Sequence, residues 1–422
     1  MPHPSRLTRV RDIIHGFVYL DDQERDIINH PIFQRLRRIK QLSLTDMVYP
    51  GAVHTRFEHS LGVMQMASDM FESIVRNPDN YGRLQSNGYI ESGIKRQLKI
   101  IRLAALLHDV GHGPFSHSSE ELMPLLPKTH ARYSPDIERR FDHEDYSRKL
   151  IKTAFKELIE DHDINSNYGI RCEDVTALLD DEAITPGKNL FWKALISGQV
   201  DADRCDYLLR DSRHLGVAYG LYDDKMLVNS LVLVEDQSGN LIVAVGGKGA
   251  YVAESLVIAR YQMFTQVYFH KVRRIYDHHL TGAIRKVLKT SGRDDGCYPS
   301  PENLDDYVKL DDWTIQNSFK DGKGGEHGDR ILRRDHYRCI FQTRVIPTEE
   351  EEQKILELCE EYKGKAYCLD DKANTSWYKL DKDITVTSGN RNTPLSELSS
   401  IVKAMSAKPV QKRFYIPKEG SR

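Results

Sequence analysis

A histidine followed directly by an aspartate ends the most apolar segment of the sequence. His108-Asp109 follows residues 97–107, which are so densely apolar that we expect a helix buried on all sides. Gly111 and Gly113 then break the helix. A carboxylate at the end of a buried helix is costly unless something pairs with it, and a divalent cation would do so. The doublet therefore predicts part of a metal site.

A second doublet, His162-Asp163, provides an internal control. It lies in the polar stretch 161–167, which has no apolar frame and is typical of a solvated loop. The first doublet needs two further nitrogen or oxygen ligands to saturate a metal ion. His59, near the start of an apolar helical segment, and Asp203, inside an amphipathic helix, are the candidates. Taken alone, each has a simpler explanation as a core histidine or a surface charge.

Composition limits the classes of protein to consider. The chain has 422 residues, 40% hydrophobic and 29% charged, which fits a soluble globular protein of two or three domains. A net charge of −2 gives no overall basic field for DNA or an anionic membrane. Six scattered cysteines without a C-x-x-C pair favour a reducing cytoplasm over a disulfide framework. Because we find neither a signal-peptide pattern nor a long apolar run, we expect a cytoplasmic protein without a membrane segment.

The elements that must position these residues are predicted to be helical up to about residue 290. Helical periodicity follows Arg56, and further helices are predicted over 144–160, 190–211 and 249–289. Two apolar runs within 231–245 flank a turn and predict one small hairpin. The predicted fold class is therefore mainly α, with a helical core, this hairpin and a smaller C-terminal α+β lobe.

The chain is predicted to divide into three parts. Residues 1–290 form the core, 291–343 a connecting region with mobile loops, and 344–422 the C-terminal α+β lobe. The loop prediction rests on the polar, glycine-rich stretches 291–301 and 320–328. Beyond them, short β-rich runs alternate with helical ones, which indicates the mixed lobe.

Five stretches of sequence occur in a fixed order over roughly the first 290 residues. They lie at 31–42, 56–63, 108–117, 203–207 and 210–216. Together they resemble the HD phosphohydrolase superfamily, and within it the dNTP triphosphohydrolase branch. In this superfamily two histidines and two aspartates hold one metal ion. The resemblance implies one divalent ion per subunit (Mn, Fe, Zn, Ni or Mg) and the ligand set His59, His108, Asp109 and Asp203.

Three further histidines accompany the doublet. His112 and His117 lie in the glycine-rich turn after it, and His143 lies in a D-H-E word that resembles one of the family. As a group beside a metal, they are predicted to donate to a polyphosphate and to supply a general acid, because imidazole titrates near neutral pH. His117 and Glu120 resemble the His–acid pair of the family, in which the acid is usually Asp.

A triphosphate requires cations. Arg56 precedes His59 by one helical turn, and the resemblance adds Arg204 and Lys271 as phosphate-binding residues. Asp203, Tyr207 and Asp211 have the spacing i, i+4, i+8 and share a helix face, which suits a nucleotide extending from phosphate to sugar. The other sugar and base contacts implied by the resemblance are Gln41, Leu42, Arg260 and Tyr268.

The pair His278-His279 has a metal-like composition. Adjacent positions on a helix point about 100° apart, so both rings cannot easily face one ion. We therefore predict a surface face at this pair.

The resulting hypothesis is an enzyme that converts a dNTP and water to a deoxynucleoside and triphosphate by attack on the α-phosphorus. The resemblance also implies a homo-oligomer, dimer or tetramer, with nucleotide activators at a subunit interface. One alternative is an HD-type metal phosphodiesterase or single-strand nuclease, in which Arg35, Arg37, Arg38 and Lys40 follow the strand. Another is a non-catalytic nucleotide sensor or defence-complex subunit, against which the intact ligand set argues. Nucleic acid is the less favoured substrate.

Overall fold

A computed structural model describes residues 8–180, 190–363, 367–372, 378–389, 391–405 and 410–418. These residues are mainly helical, which confirms the predicted fold class. None of the helices in these ranges combines the length and apolarity needed to cross a membrane.

The helices before residue 180 build the centre of the core. In chain order they are α1 (Asp22–Asn29), α2 (Pro31–Gln34), α3 (Arg56–Arg76), α4 (Pro78–Ser86), α5 (Glu91–Leu107), α6 (His143–Lys152), α7 (Lys156–Glu160) and α8 (Cys172–Ala177). As predicted, the segment 97–107 of α5 is buried almost all round, and Ile101, Leu103 and Leu106 have no exposed surface. α3 packs against it and begins at a capping box formed by Thr55 and Glu58, which fixes where the first turn starts.

The later helices are α9 (Ala202–Leu215), α10 (Asp224–Asn229), α11 (Ala250–Met263), α12 (Lys271–Thr290), α13 (Leu304–Tyr307), α14 (Asp312–Lys320), α15 (Gly325–Arg333), α16 (Glu349–Glu361), α17 (Leu395–Leu398) and α18 (Ser400–Ala404). The predicted continuous helix 249–289 is interrupted by a π-helical turn at Phe264–Tyr268. The predicted helix 190–211 begins only after Asp201, whose side chain accepts from the N–H of Arg204 as an N-cap.

The strands are β1 (Thr8–Asp12), β2 (Gly16–Leu20), β3 (Leu231–Glu235), β4 (Leu241–Gly246), β5 (Arg338–Gln342), β6 (Tyr367–Lys372), β7 (Thr385–Ser388), β8 (Arg391–Pro394) and β9 (Val410–Ile416). β1 and β2 form a hairpin, β5, β9 and β6 form a second sheet, and β3 and β4 form the predicted hairpin. β4 also pairs in parallel with β7, and β8 follows. The boundary at residue 344 stays a prediction, since strands beyond it extend the hairpin of the core.

The connecting region contains three of these helices. α14 and α15 pack against α12 around the buried side chains of Ile284, Ile315 and Phe319. The prediction of a loop over 320–328 is wrong from Gly325 onward, where α15 begins. Although this stretch is polar in composition, α15 is amphipathic, and its buried apolar residue is Ile331.

Candidate active site

The predicted metal ligands converge from three helices. One ligand atom each of His59 on α3, His108 at the end of α5 and Asp203 on α9 lies within 4.8 Å of the others. His59 Nε2 lies 3.0 Å from Asp203 Oδ1 and 3.6 Å from Asp109 Oδ2. Ligands at about 2.0–2.2 Å from one ion lie about 3–4 Å from each other. We call His59, His108, Asp109 and Asp203 the HD cluster. Their spacing therefore fits a shared divalent ion.

The imidazole rings of the HD cluster are oriented for such an ion. His108 Nδ1 donates to the Ala105 carbonyl at 2.7 Å, so Nε2 offers its lone pair to the cluster. Nε2 of both His59 and His108 is buried without a hydrogen-bond partner in the described residues. Burial opposes charge on His59, but Asp203 and Asp206 raise its pKa to about 10. The site thus favours a positive charge, either a proton or a cation.

Asp109 is held in its ionised form. Arg56 Nη1 donates to its Oδ2 at 2.5 Å, and Arg56 Nε donates to Ser116 Oγ at 2.9 Å. Burial acts to raise the pKa of Asp109, but Arg56, with His108 and His112, holds it well below the usual range. A carboxylate must be ionised to bind a metal, so this environment suits the predicted ligand role.

Asp206 contacts the His59 ring at the nitrogen that faces away from the HD cluster. Little in the sequence predicts this role. Asp206 Oδ2 lies 2.8 Å from His59 Nδ1, while Oδ1 lies 2.7 Å from His15 Nε2. Arg210 binds the same carboxylate through two nitrogens at 2.8 and 2.9 Å. A Cβ at Gly62 would lie 2.0 Å from Asp206 Oδ1, so only glycine allows α3 and α9 to approach this closely. The i, i+4 spacing of the aspartate and arginine on α9 is the only local hint of this network.

The predicted catalytic histidines form a second group next to the HD cluster. The rings of His112 and His143 stack with centroids 3.8 Å apart. Glu120 bridges His117 Nδ1 at 3.0 Å and His143 Nδ1 at 2.6 Å. The longer side chain of glutamate therefore pairs with two histidines at once. His112 Nε2 lies 3.3 Å from Asp109 Oδ1, which joins this group to the HD cluster.

These histidines differ in charge at neutral pH. Burial, together with the charges of Arg56 and His143, holds the pKa of His112 well below its ordinary value. Burial also acts against charge on His143, but Glu120 raises its pKa to about 9. At pH 7 His112 is therefore neutral and His143 carries a proton that it can donate.

A cavity of about 600 Å³ opens beside both groups. This volume lies in the range of about 300–1,000 Å³ typical of small-molecule sites. The predicted residues that line it are Gln41, Leu42, Arg56, His108, Asp109, His117, His143, Asp203, Arg204, Tyr207, Asp211 and Tyr268. His112 and Glu120 lie beneath this surface, in contact with residues that line it.

Two predicted substrate residues do not line the cavity. Lys271 is exposed at the start of α12, and Arg273 and Arg274 of the same helix line the wall instead. The sequence does not distinguish these arginines from solvated surface cations. Arg260 lies over the ring of Phe264, 5.3 Å from its centroid, and Phe264 is the residue that reaches the cavity.

Aromatic side chains and a carboxylate also line the cavity, next to Arg273, which donates to the Tyr268 carbonyl. The Tyr268 hydroxyl donates to Asp211 Oδ2 at 2.6 Å, and His54 Nε2 lies 2.7 Å from Asp211 Oδ1. The ring of Tyr207 meets that of Tyr268 edge-on, with centroids 6.3 Å apart. The carboxylate keeps further lone pairs for a hydroxyl donor.

Asp312, in the region predicted as a connection, holds the loop after the HD doublet. Its Oδ1 accepts from the Phe115 N–H at 2.7 Å and its Oδ2 from the Lys40 N–H at 2.9 Å. Phe115 and Ser116 both have positive φ, 60° and 55°, which is strained for residues other than glycine. α14 thus stabilises a backbone conformation at the cavity wall, a role that no local pattern reveals.

The His162-Asp163 doublet and the His278-His279 pair both lie outside the HD cluster. His162 caps a 3-10 turn at Asp163–Asn167, and its Nε2 lies 3.5 Å from Asp26, away from the HD cluster. The prediction of a surface face at His278 and His279 is wrong, because His279 has no exposed surface and His327 of α15 lies against both. α15 falls where a loop was predicted, so the sequence did not reveal this contact.

Comparisons with known families agree with the geometry of the site. The profile of the HD domain matches residues 56–208, a span that contains the whole HD cluster. The profile of the HD associated region matches residues 222–419.

Relatives of the chain occur in bacteria, archaea and animals. Uncharacterized protein YwfO of Bacillus subtilis is 30% identical over 97% of this chain and 92% of its own. Uncharacterized protein MJ1154 of Methanocaldococcus jannaschii is 36% identical over 79% of this chain. Human deoxynucleoside triphosphate triphosphohydrolase SAMHD1 is 28% identical over 81% of it. The chain spans only 59% of MJ1154 and 55% of the human protein.

Two solved structures are similar over nearly the whole chain. A hypothetical protein from Aquifex aeolicus has a TM-score of 0.74 at 28% identity, covering 97% of this chain and 96% of its own. A phosphohydrolase from Bacteroides thetaiotaomicron has a TM-score of 0.72 at 25% identity, covering 98% of this chain and all of its own.

Proposed function

The chain belongs to the HD-domain family of phosphohydrolases, and from this we propose that it hydrolyses deoxynucleoside triphosphates to deoxynucleosides and triphosphate. The human and Dictyostelium discoideum relatives that carry the name deoxynucleoside triphosphate triphosphohydrolase support this substrate class. Because both extend well beyond this chain, their activity is carried over here only as a proposal.

The observation that carries the proposal is the order of side chains along α9. Asp203, Tyr207 and Asp211 all line the cavity. At 1.5 Å per residue they span about 12 Å, enough to face a phosphate and the adjoining sugar in sequence. Arg56 and Arg204 line the cavity, and so do the aromatic rings of Tyr207, Phe264 and Tyr268. A nucleotide with its α-phosphate at the HD cluster fits this order.

The residues of the HD cluster would hold one divalent ion. When bound, such an ion polarises a phosphoryl oxygen and orients the attacking water. His143, protonated at neutral pH, is positioned to give a proton to the departing oxygen. Arg204 is placed to bind the polyphosphate tail, since it reaches the cavity from the turn that carries Asp203. Tyr207 and Asp211, which also line the cavity, would contact the sugar hydroxyl.

Three of the four cations that a nuclease would need are engaged elsewhere, whereas Arg37 is exposed and donates to Gln34 Oε1 at 2.9 Å. Arg35 is buried and donates to a backbone carbonyl, so it does not reach a strand at the surface. Arg38 pairs with Asp311 at 2.5 Å, and Lys40 pairs with Asp46 at 2.7 Å. Paired or buried cations cannot track phosphates as free ones do, and Arg37 alone does not form a row. This arrangement favours a free nucleotide over a nucleic-acid strand.

The proposal is tested by supplying the purified chain with each dNTP, or with a single-stranded oligonucleotide, and a panel of divalent ions. Phosphorus NMR of the products should show inorganic triphosphate from at least one dNTP. Nucleoside monophosphates released faster from the oligonucleotide would favour the nuclease alternative. Nucleotide binding without turnover under every condition would favour the sensor alternative.

We further propose a cytoplasmic homo-oligomer, a dimer or tetramer, with nucleotide activators at a subunit interface. The relatives named SAMHD1 motivate this proposal. Light scattering with and without dNTPs measures the mass of the particle. A monomeric mass under all conditions would contradict the proposed homo-oligomer.

A further inference from the structure

A second histidine cluster lies where α12, α15 and the segment before β5 meet. His278 and His279 come from α12 and His327 from α15, and one ligand atom of each lies within 4.8 Å of the others. The Nδ1 atoms of His279 and His327 are 2.9 Å apart. None of the three lines the cavity described above. We call this group the His3 cluster.

We propose that the His3 cluster binds one divalent transition-metal ion of the Zn²⁺, Ni²⁺ or Co²⁺ class, separate from the ion of the HD cluster. Imidazole nitrogen suits these ions, whereas Mg²⁺ and Ca²⁺ require oxygen ligands. Three imidazoles and one water complete a tetrahedral site, in which neighbouring ligands lie about 3.3–3.4 Å apart. The 2.9 Å between His279 and His327 is close to that separation. This inference does not depend on the substrate of the enzyme.

The three rings are neutral at physiological pH. Burial, with the nearby charge of His327, lowers the pKa of His278 to about 4. Burial also lowers the pKa of His279 to about 2 and lowers that of His327. A metal binds only the unprotonated ring, so protons do not compete for these lone pairs at pH 7.

The rings are held in place by their surroundings. A Cβ at Gly282 would lie 2.5 Å from Cδ2 of His327, so the absence of a side chain there lets the His327 ring lie against α12. The ring of Tyr367 stacks on His278 with centroids 3.7 Å apart. Fixed rings lose little conformational entropy when a ligand binds.

The charge beside the cluster is balanced. Arg330 of α15 faces His279 and His327 and would repel an ion if it stood alone. It pairs with Glu326 at 3.0 Å and with Asp335 at 3.0 Å. Since two carboxylates oppose one guanidinium, the surroundings do not exclude a cation.

Binding requires one small rearrangement. The N–H of Tyr337 donates to His279 Nε2 at 3.4 Å, so in the ion-free form Nδ1 holds the proton and donates to His327. An ion at Nδ1 moves this proton to Nε2 and displaces the Tyr337 N–H. A contact of 3.4 Å is a weak hydrogen bond, so little is lost. The bound ion would then crosslink α15 and α12 through their histidines.

The test uses the full chain with Asp203→Asn, in which the HD cluster is disabled. The protein is stripped with a chelator and dialysed against Ni²⁺, and the metal bound per chain is measured by atomic emission. We expect one ion per chain, and none once His327→Gln is added. Adding His162→Gln, a histidine outside both clusters, should leave the ion bound.

Two outcomes would overturn the inference: no ion in the Asp203→Asn chain, or an ion retained after His327→Gln. If circular dichroism shows that His327→Gln unfolds the chain, His278→Gln takes its place, because it removes another ligand of the same cluster, from α12 in place of α15. Co²⁺ gives a second readout. Its tetrahedral visible bands should appear in the Asp203→Asn chain and disappear with either histidine variant.

Discussion

Nδ1 of His59 lies 2.8 Å from Oδ2 of Asp206, and neither side chain has any exposed surface. The contact directs the opposite ring nitrogen toward Asp203 and Asp109. Carboxylates that hold a ligating histidine in this way fix its tautomer and raise its basicity.

Replacing Asp206 by Asn should weaken metal binding while leaving every ligand in place. The amide keeps the shape but loses the charge that faces His59, so we expect metal affinity to fall by about 10–100-fold. Isothermal titration with Mn²⁺ measures the change. The matched control is Asp69→Asn on the outer face of α3. Equal affinity in the Asp206 and Asp69 variants would exclude a positioning role.

Replacing Asp203 by Asn should remove the ion of the HD cluster and abolish turnover. Asp203 is a proposed ligand that is not part of the apolar core, so the helical fold should persist. Metal content and circular dichroism are measured on the same sample. Asp305→Asn, at an exposed position, is the control. A variant with normal Mn²⁺ content and turnover would show that the site has been misplaced.

Shortening Leu42 to Ala should relax the preference for dNTPs over rNTPs. Leu42 is nearly buried at the cavity wall, and we propose that it crowds the position of a 2′-hydroxyl. Room for one additional small group in a pocket changes the ratio of the kcat/KM values of two competing substrates by about 10–200-fold. The ratio of kcat/KM for dATP and ATP is compared in the two proteins. If the unaltered protein turns over both equally, the crowding argument fails.

Arg204→Ala should reduce dNTP cleavage by about 10-fold or more. One charge-assisted contact is worth about 1.5–3 kcal/mol, and its loss in the transition state raises the barrier accordingly. Lys309→Ala, a cation exposed far from the wall, serves as the control. Cleavage of an oligonucleotide, if it occurs, should change much less. A uniform loss on both substrates would indicate a structural effect.

The proton on His143 predicts a pH dependence. Its pKa of about 9 lies above the ordinary value of 6.5, because Glu120 outweighs burial. Turnover that needs this proton should fall as the pH rises through about 9, whereas the stability that the pair contributes is complete below about 6.5 and is lost by about 9. Glu120→Gln removes the charge, so the basic limb should move to lower pH. NMR titration of the His143 ring checks the assignment independently of activity, and an unshifted ring pKa would refute it.

The sequence could predict the residues of the HD cluster because they lie in short words whose order resembles the HD superfamily, although His59 and Asp203 taken alone have simpler explanations. His108-Asp109 ends an apolar helix, and Asp203 shares a helix face with Tyr207 and Asp211. The predictions of helix type were also sound where the apolar period was long, as in α5.

The supporting residues could not be predicted because their roles depend on contacts between distant parts of the chain. Asp312 binds the backbone of Phe115, almost two hundred positions earlier. Arg273 lines the cavity from a helix that follows a π-helical turn, and hydrophobic periodicity does not reveal such a turn. α15 escaped prediction because glycine and charge conceal its apolar side.

The pairing of β4 with β7 has a consequence for synthesis on the ribosome. Val245 pairs with Val386. The ribosome must therefore add about 140 further residues before the edge of β4 can pair with β7. An unpaired strand edge is a template for pairing with other chains. A chain that stops before Thr385 would keep every residue of the HD cluster and still present that edge. Truncated forms should therefore self-associate during expression, even where their metal ligands are intact.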